Sequence, residues 1–149
     1  MGTISKNFSY SEFEATDYAE FKYQNMITDT GVRDAIASLV TEVLQPLRDK
    51  WGQPLAINSG YRCKALNTKV GGVATSQHCK GEAADVCPFG RNGKGDVDVI
   101  RQLAKCLVDA GLPFDQAILY PSFLHISHRA TGEQRNQILY NRRYTGRKL

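Results

Sequence analysis

Ser76-Gln77-His78-Cys79-Lys80-Gly81-Glu82-Ala83-Ala84-Asp85 is the most informative stretch of this 149-residue chain. His78 precedes a glycine turn, and Ala83-Ala84-Asp85-Val86-Cys87 reads as a buried strand that Asp85 enters. The small Gly81, Ala83 and Ala84 let the backbone fold back closely, so His78 and Asp85 can converge on one ion. A zinc site with an open position needs three ligands drawn from His, Asp, Glu or Cys. The only other histidines are His125 and His128. Three residues apart on a predicted strand, they point to opposite faces and cannot both serve the same ion. Spacing alone leaves the choice between them open.

The flanking sequence predicts an α+β fold: a small, mostly antiparallel sheet with two main helices packed on it. Phe8–Phe13 reads as a short helical turn that Ser9 or Ser11 can cap. Val32, Ile36, Leu39, Val40, Val43 and Leu47 recur at helical spacing; Asp29 or Thr30 can cap that helix, and Trp51-Gly52 closes it. Pro54–Asn58 is a short strand ending in a Ser59-Gly60 turn. A helical stretch around Lys64-Ala65-Leu66 leads to the glycine-broken loop Val70-Gly71-Gly72-Val73. Asp96 caps a second amphipathic helix with Val97, Ile100, Leu103, Ala104 and Leu107 on its core face, ended by Gly111-Leu112-Pro113. Strands are predicted at Gln116–Tyr120, Phe123–Ser127 and Gln137–Tyr140. The helices and strands lack the regular alternation of a doubly wound sheet.

Length and composition fit one domain, residues 1–149, large enough for a hydrophobic core without disulfides. The apolar fraction is 42% and the charged fraction 23%, ordinary for a soluble globular chain. No apolar run is long enough to span a bilayer, and the first residues contain no signal-peptide core. The net charge of +4 is concentrated at residues 129–149, where six basic side chains meet one acidic one. Such a basic C-terminal end is either a solvated tail or a surface for an anionic polymer. Nucleic acid is not the expected partner, since only Tyr140 and Tyr144 could offer stacking platforms. Cys63, Cys79, Cys87 and Cys106 match no metal or redox spacing and are expected to be reduced, inert thiols. A Cys–His–Asp hydrolase with Cys63 or Cys79 as nucleophile is the competing chemistry.

Ser59-Gly60-Tyr61-Arg62, Leu66-Asn67, Val70-Gly71-Gly72, Ser76-Gln77-His78, Gly81 to Asp85 and Leu124-His125-Ile126-Ser127 follow one another in order. Together they resemble the D-Ala-D-Ala carboxypeptidase-like zinc peptidases, the M15 group, whose fold is shared with the hedgehog signalling domain. The S-x-H-x-x-G-x-A-x-D element is complete in Ser76, His78, Gly81, Ala83 and Asp85. The resemblance implies zinc held by His78, Asp85 and His125, with Arg62 and Ser76 lining the substrate cleft. Arg62 would hold a peptide carboxylate through a two-pronged contact.

Related zinc peptidases carry a basic carboxylate a few residues before the last histidine ligand. Here Ile118–Leu124 contains neither Asp nor Glu. Tyr120 lies nearest the expected place, and Asp115 and His128 are the other candidates for the missing base. Glu82, an odd number of residues from Asp85, is expected to face away from the metal. The resemblance implies hydrolysis of peptidoglycan stem peptides next to a D-residue, by a D,D-carboxypeptidase or L,D-endopeptidase. It also implies a phage endolysin-like setting: synthesis in the cytoplasm without a signal peptide, then action on the wall after lysis or from a virion. The alternative is a non-catalytic zinc-containing module that binds wall peptide or a protein partner.

Overall fold

The structure is a computed structural model that describes residues 2–149. Helix α1 (Tyr10–Glu14) follows Ser9, whose backbone N–H donates to the Glu12 carboxylate, the reciprocal half of a capping box. Helix α2 (Thr30–Leu39) starts at Asp29, the residue of the expected pair that does the capping; its carboxylate accepts from the Gly31 and Val32 amides. The helical run then continues through a π-turn at Val40–Leu44 into α3 (Gln45–Trp51). Pro46 stands just past that turn and has no N–H for a regular helical bond, which accounts for a widened turn at this point. Gly52, at φ 78°, closes the run as expected.

Strand β1 (Ala56–Ser59), helix α4 (Lys64–Lys69), strand β2 (Ala83–Cys87) and helix α5 (Val97–Asp109) follow. Strands β3 (Gln116–Leu119), β4 (Leu124–Ser127) and β5 (Gln137–Tyr140) complete one five-stranded sheet. Its order is β1-β2-β4-β3-β5. Three of the four pairings are antiparallel and the β3–β5 pairing is parallel, so the sheet is mixed at one edge. The architecture is the α+β arrangement expected from the sequence.

Strand alternation sorts the sheet into two faces. Ala84, Val86, Ala117, Leu119, Leu124 and Ile126 join the core beneath the helices. Ile36, Leu39, Val43 and Leu47 from the first helical run and Ile100, Leu103 and Leu107 from α5 fill it, each fully buried. Truncating any one of these leucines to alanine would cost about 2–5 kcal/mol.

The basic C-terminal end is built into the fold, while the side chains of Arg135, Arg142, Arg143, Arg147 and Lys148 stay exposed to solvent. It supplies β5, buries Tyr144, and bonds the Tyr144 hydroxyl to the Arg147 carbonyl at 2.6 Å. No helix among the described residues is long and apolar enough to cross a membrane.

Candidate metal centre

The sheet face away from the helices carries Asp85, His125 and Ile118, which line a cavity of about 860 Å³. Asp85 and His125 are directly opposed in the β2–β4 register. Asp85 Oδ1 lies 2.9 Å from His125 Nδ1 and 3.4 Å from His78 Nε2. The three ligand atoms all fall within 4.8 Å of one another. Alternation thus accounts for two members of the cluster, and a turn supplies the third.

His78 sits in a 3₁₀ turn, Gln77–Lys80, whose N-cap Ser76 accepts the His78 amide on its hydroxyl at 3.2 Å. Gly81 ends the turn at φ 74°, and a Cβ there would lie 2.6 Å from the Val32 carbonyl oxygen. Only glycine meets both conditions. His78 Nδ1 is 2.6 Å from the Gly60 carbonyl oxygen. A carbonyl only accepts, so Nδ1 carries a proton and Nε2 is the nitrogen that faces the cluster, able to ligate a metal whenever the ring is neutral. Gly60 in turn presses on α1: a Cβ at Gly60 would lie 2.7 Å from Phe13 Cα.

Two imidazole nitrogens and one carboxylate oxygen form the donor set of a zinc site with an open fourth position. The bond from His78 to Gly60 is the kind of outer contact that orients such ligands. Burial by itself would raise the Asp85 carboxyl. The charge of His78 and the hydrogen bonds from His125 and His78 outweigh it and hold the group well below the usual carboxylate range.

A family model described as Peptidase M15 matches residues 14–127, which contain all three clustered side chains. The chain belongs to the peptidase M15 family. No curated protein matches it at a significant level. Membership makes this a chain of a hydrolase family, and M15 peptidases are zinc-dependent metallopeptidases.

Of the other residues singled out in the M15 chain, Arg62, Ser76 and Tyr120 line the cavity. Arg62 Nε is buried without a hydrogen-bond partner, an unused donor beside the cluster. Burial, then the charge of Asp85, pushes the Tyr120 phenol above its ordinary value, so it remains a proton donor at neutral pH. Its ring stacks on Phe123, centroids 4.3 Å apart.

Asp115 and His128 do not join them. Asp115 is fully buried and held by Arg135, whose Nε and Nη2 donate to its two oxygens at 2.9 and 2.7 Å. That pairing lowers its pKa to about 2 and leaves no free oxygen for a cavity water. His128 is buried, with Nδ1 donating to the Pro113 carbonyl at 2.6 Å and Nε2 accepting from Ser38 Oγ at 3.1 Å. Both of its nitrogens are committed, which makes it a structural histidine.

Glu82 overturns the expectation that it faces away. It precedes β2, so strand alternation does not govern it, and its side chain lines the same cavity. One oxygen accepts from the Ala130 amide at 3.1 Å and the other from Gln77 Nε2 at 3.3 Å. Gln77 was missed altogether. It bridges Glu82 to Asp115, with 3.3 Å to each, and only the turn geometry around His78 places it there.

The thiol chemistry finds no support. No cysteine lines the cavity among the described residues, and burial raises the Cys79 thiol, the opposite of an activated nucleophile.

Proposed function

We propose that this M15 protein is a zinc-dependent peptidase acting on bacterial peptidoglycan stem peptides, next to a D-residue. The observation that carries the reading is the convergence of His78, Asp85 and His125 on the floor of an open cavity. These three would hold the metal. When bound, zinc supplies Lewis acidity for the scissile carbonyl and for an attacking water.

The remaining work falls to the chain's own groups. Arg62, on the cavity wall, offers its guanidinium to an anionic oxygen of the peptide, a carboxylate or a carbonyl gaining charge. Ser76, at the cavity wall, fixes the His78 turn through its hydroxyl and so orients a ligand besides lining the cleft. Tyr120 is the residue nearest the place where the family resemblance implies a carboxylate, and its protonated phenol can donate to a developing oxyanion or position the water. Asp115 and His128 are committed elsewhere, and both oxygens of the cavity-lining Glu82 already accept hydrogen bonds, from Ala130 and Gln77, so none of these three is a free general base beside the cluster. Hydrolysis is therefore expected to be slow, since a general base typically contributes about 10²–10⁴-fold.

That same feature favours a second reading, a non-catalytic zinc module that binds wall peptide. Incubating the zinc-loaded protein with purified peptidoglycan, with and without chelator, separates the two. Chelator-sensitive release of peptide fragments, read by mass, supports the peptidase. Retention of the protein on the wall with no released fragment supports the binding module. A phage-type setting, with action on the wall after lysis or from a virion, is part of this proposal.

A further inference from the structure

A second pocket of about 250 Å³ adjoins the main cavity and shares Arg62 and Asp85 with it. Its wall is chiefly polar: Thr16, Asp17, Asn58, Ser59 and Asn92 line it, beside the rings of Tyr18 and Phe123. Drug-sized ligands fill about 300–1,000 Å³, so a pocket this small takes a single ring-sized group.

Hydrogen bonds tie its distant segments together. The Asn92 backbone N–H donates to Asn58 Oδ1 at 2.7 Å, and Asn92 Nδ2 donates to Asp17 Oδ2 at 2.7 Å. Asn92 holds a left-handed backbone, φ 56°, a conformation in which asparagine is enriched. These bonds fix both side-chain amides. A backbone N–H only donates and a carboxylate only accepts, so Asn58 commits its oxygen and Asn92 its nitrogen. The remaining atoms, Asn58 Nδ2 and Asn92 Oδ1, have no partner among the described residues. One donor and one acceptor on adjacent side chains match the carbonyl and N–H of a secondary amide.

The charges of the pocket cancel. Asp17 is neutralised by Arg91 at 3.2 Å, and Arg62 and Asp85 are opposite in sign. A charged ligand therefore gains little, and an apolar one would strip the amides and hydroxyls of water. A sugar ring meets both demands, with polar substituents around its edge and a face of C–H groups for an aromatic ring.

We propose that the second pocket is a saccharide site, taking one N-acetylated amino sugar whose acetamido group bonds Asn58 and Asn92 and whose ring lies against Tyr18. This deepens the peptidoglycan reading and rests on it, because the glycan strands of that polymer are built of such sugars.

The test titrates the zinc-loaded, full-length protein with the trisaccharide of N-acetylglucosamine and follows the backbone amides by nuclear magnetic resonance. The trisaccharide of glucose is the control for the acetamido group, and inorganic phosphate the control for an anion. Shifts should gather at residues 15–18, 58–59 and 90–93. The acetylated sugar should bind at least about tenfold tighter than the glucose form. Asn58→Asp keeps the oxygen that pins Asn92 and removes only the amide donor, so it should erase that preference. Tyr18→Ala, at an exposed position, should weaken both sugars about fivefold and keep the preference. Melting temperatures confirm that both variants fold. Absent binding, shifts centred elsewhere, equal affinity for the glucose form, displacement by phosphate, or a preference untouched by Asn58→Asp overturns the proposal. The peptidase reading fails separately. Sugar binding here without chelator-sensitive release of peptide fragments leaves a saccharide site on a protein that does not cleave. Released fragments without sugar binding leave the peptidase and remove the saccharide site.

Discussion

Asp85 and His125 face each other across adjacent strands, with Asp85 Oδ1 2.9 Å from His125 Nδ1, and the same oxygen is 3.4 Å from His78 Nε2. One carboxylate oxygen therefore organises both rings. With His125 and His78 gathered around it, all three ligand atoms lie within 4.8 Å of one another, close enough to share one ion.

About one zinc per chain is expected in elemental analysis of protein prepared without chelator. Alanine at His78, Asp85 or His125 should remove it. His128→Ala should keep the metal and lower the melting temperature instead, because two buried hydrogen bonds are lost.

Tyr120→Phe removes only a hydroxyl and keeps the stack on Phe123. Zinc content should be unchanged while the rate of chelator-sensitive hydrolysis falls, by about 10²-fold if the phenol supports the oxyanion. An unchanged rate in single-turnover assays would remove Tyr120 from the mechanism.

Arg62→Lys keeps the charge but loses the planar donor set, whose buried Nε has no partner in the protein. Affinity for wall peptides, measured by calorimetry, should fall about tenfold with zinc retained. Equal affinity would show that Arg62 is structural.

Asp115→Asn removes the charge of a buried carboxylate from an exposed arginine partner and should destabilise the fold at neutral pH, measured by chemical denaturation. The sign with pH follows from the lowered carboxyl. Arg135 holds Asp115 at about 2, below the unfolded value of roughly 3.9, so its contribution is fully present above pH ~4. It is lost as pH falls through about 2. The stability gap between parent and variant should therefore narrow between pH ~4 and pH ~2.

Gly81→Ala meets two obstacles together, a φ of 74° and the Val32 carbonyl 2.6 Å from the new Cβ. It should destabilise the fold by about 2 kcal/mol or more and, by shifting the His78 turn, weaken zinc binding as well. Titration with a zinc indicator checks the second effect.

The sequence made the metal cluster legible because two of its members obey strand alternation and the third sits in a motif of small residues. Parity also held information that went unused. His128 continues the phase of Leu124 and Ile126, and its ring meets Ser38 of α2 on the side facing the helices. Asp115, one residue before β3, is held instead by Arg135, Arg129 and Gln77, which line the cavity. Glu82 escaped because alternation begins only with Ala83, the first residue of β2, just after the Gly81 turn redirects the chain. The parallel β3–β5 edge and the bridging role of Gln77 depend on contacts distant in sequence, which no local pattern encodes.

The fit of Gly60 against Phe13 bears on how the protein can be cut and rejoined. The family match begins at residue 14, one position after that phenylalanine. A fusion trimmed to the match would discard Phe8 and Phe13, both buried, and empty the space against which the Gly60 turn is seated. The His78 imidazole takes its orientation from the Gly60 carbonyl, so such a graft would loosen a ligand without touching it. The smallest transplantable unit therefore starts upstream of Phe8, and a module joined at the amino-terminal side should be attached before that residue.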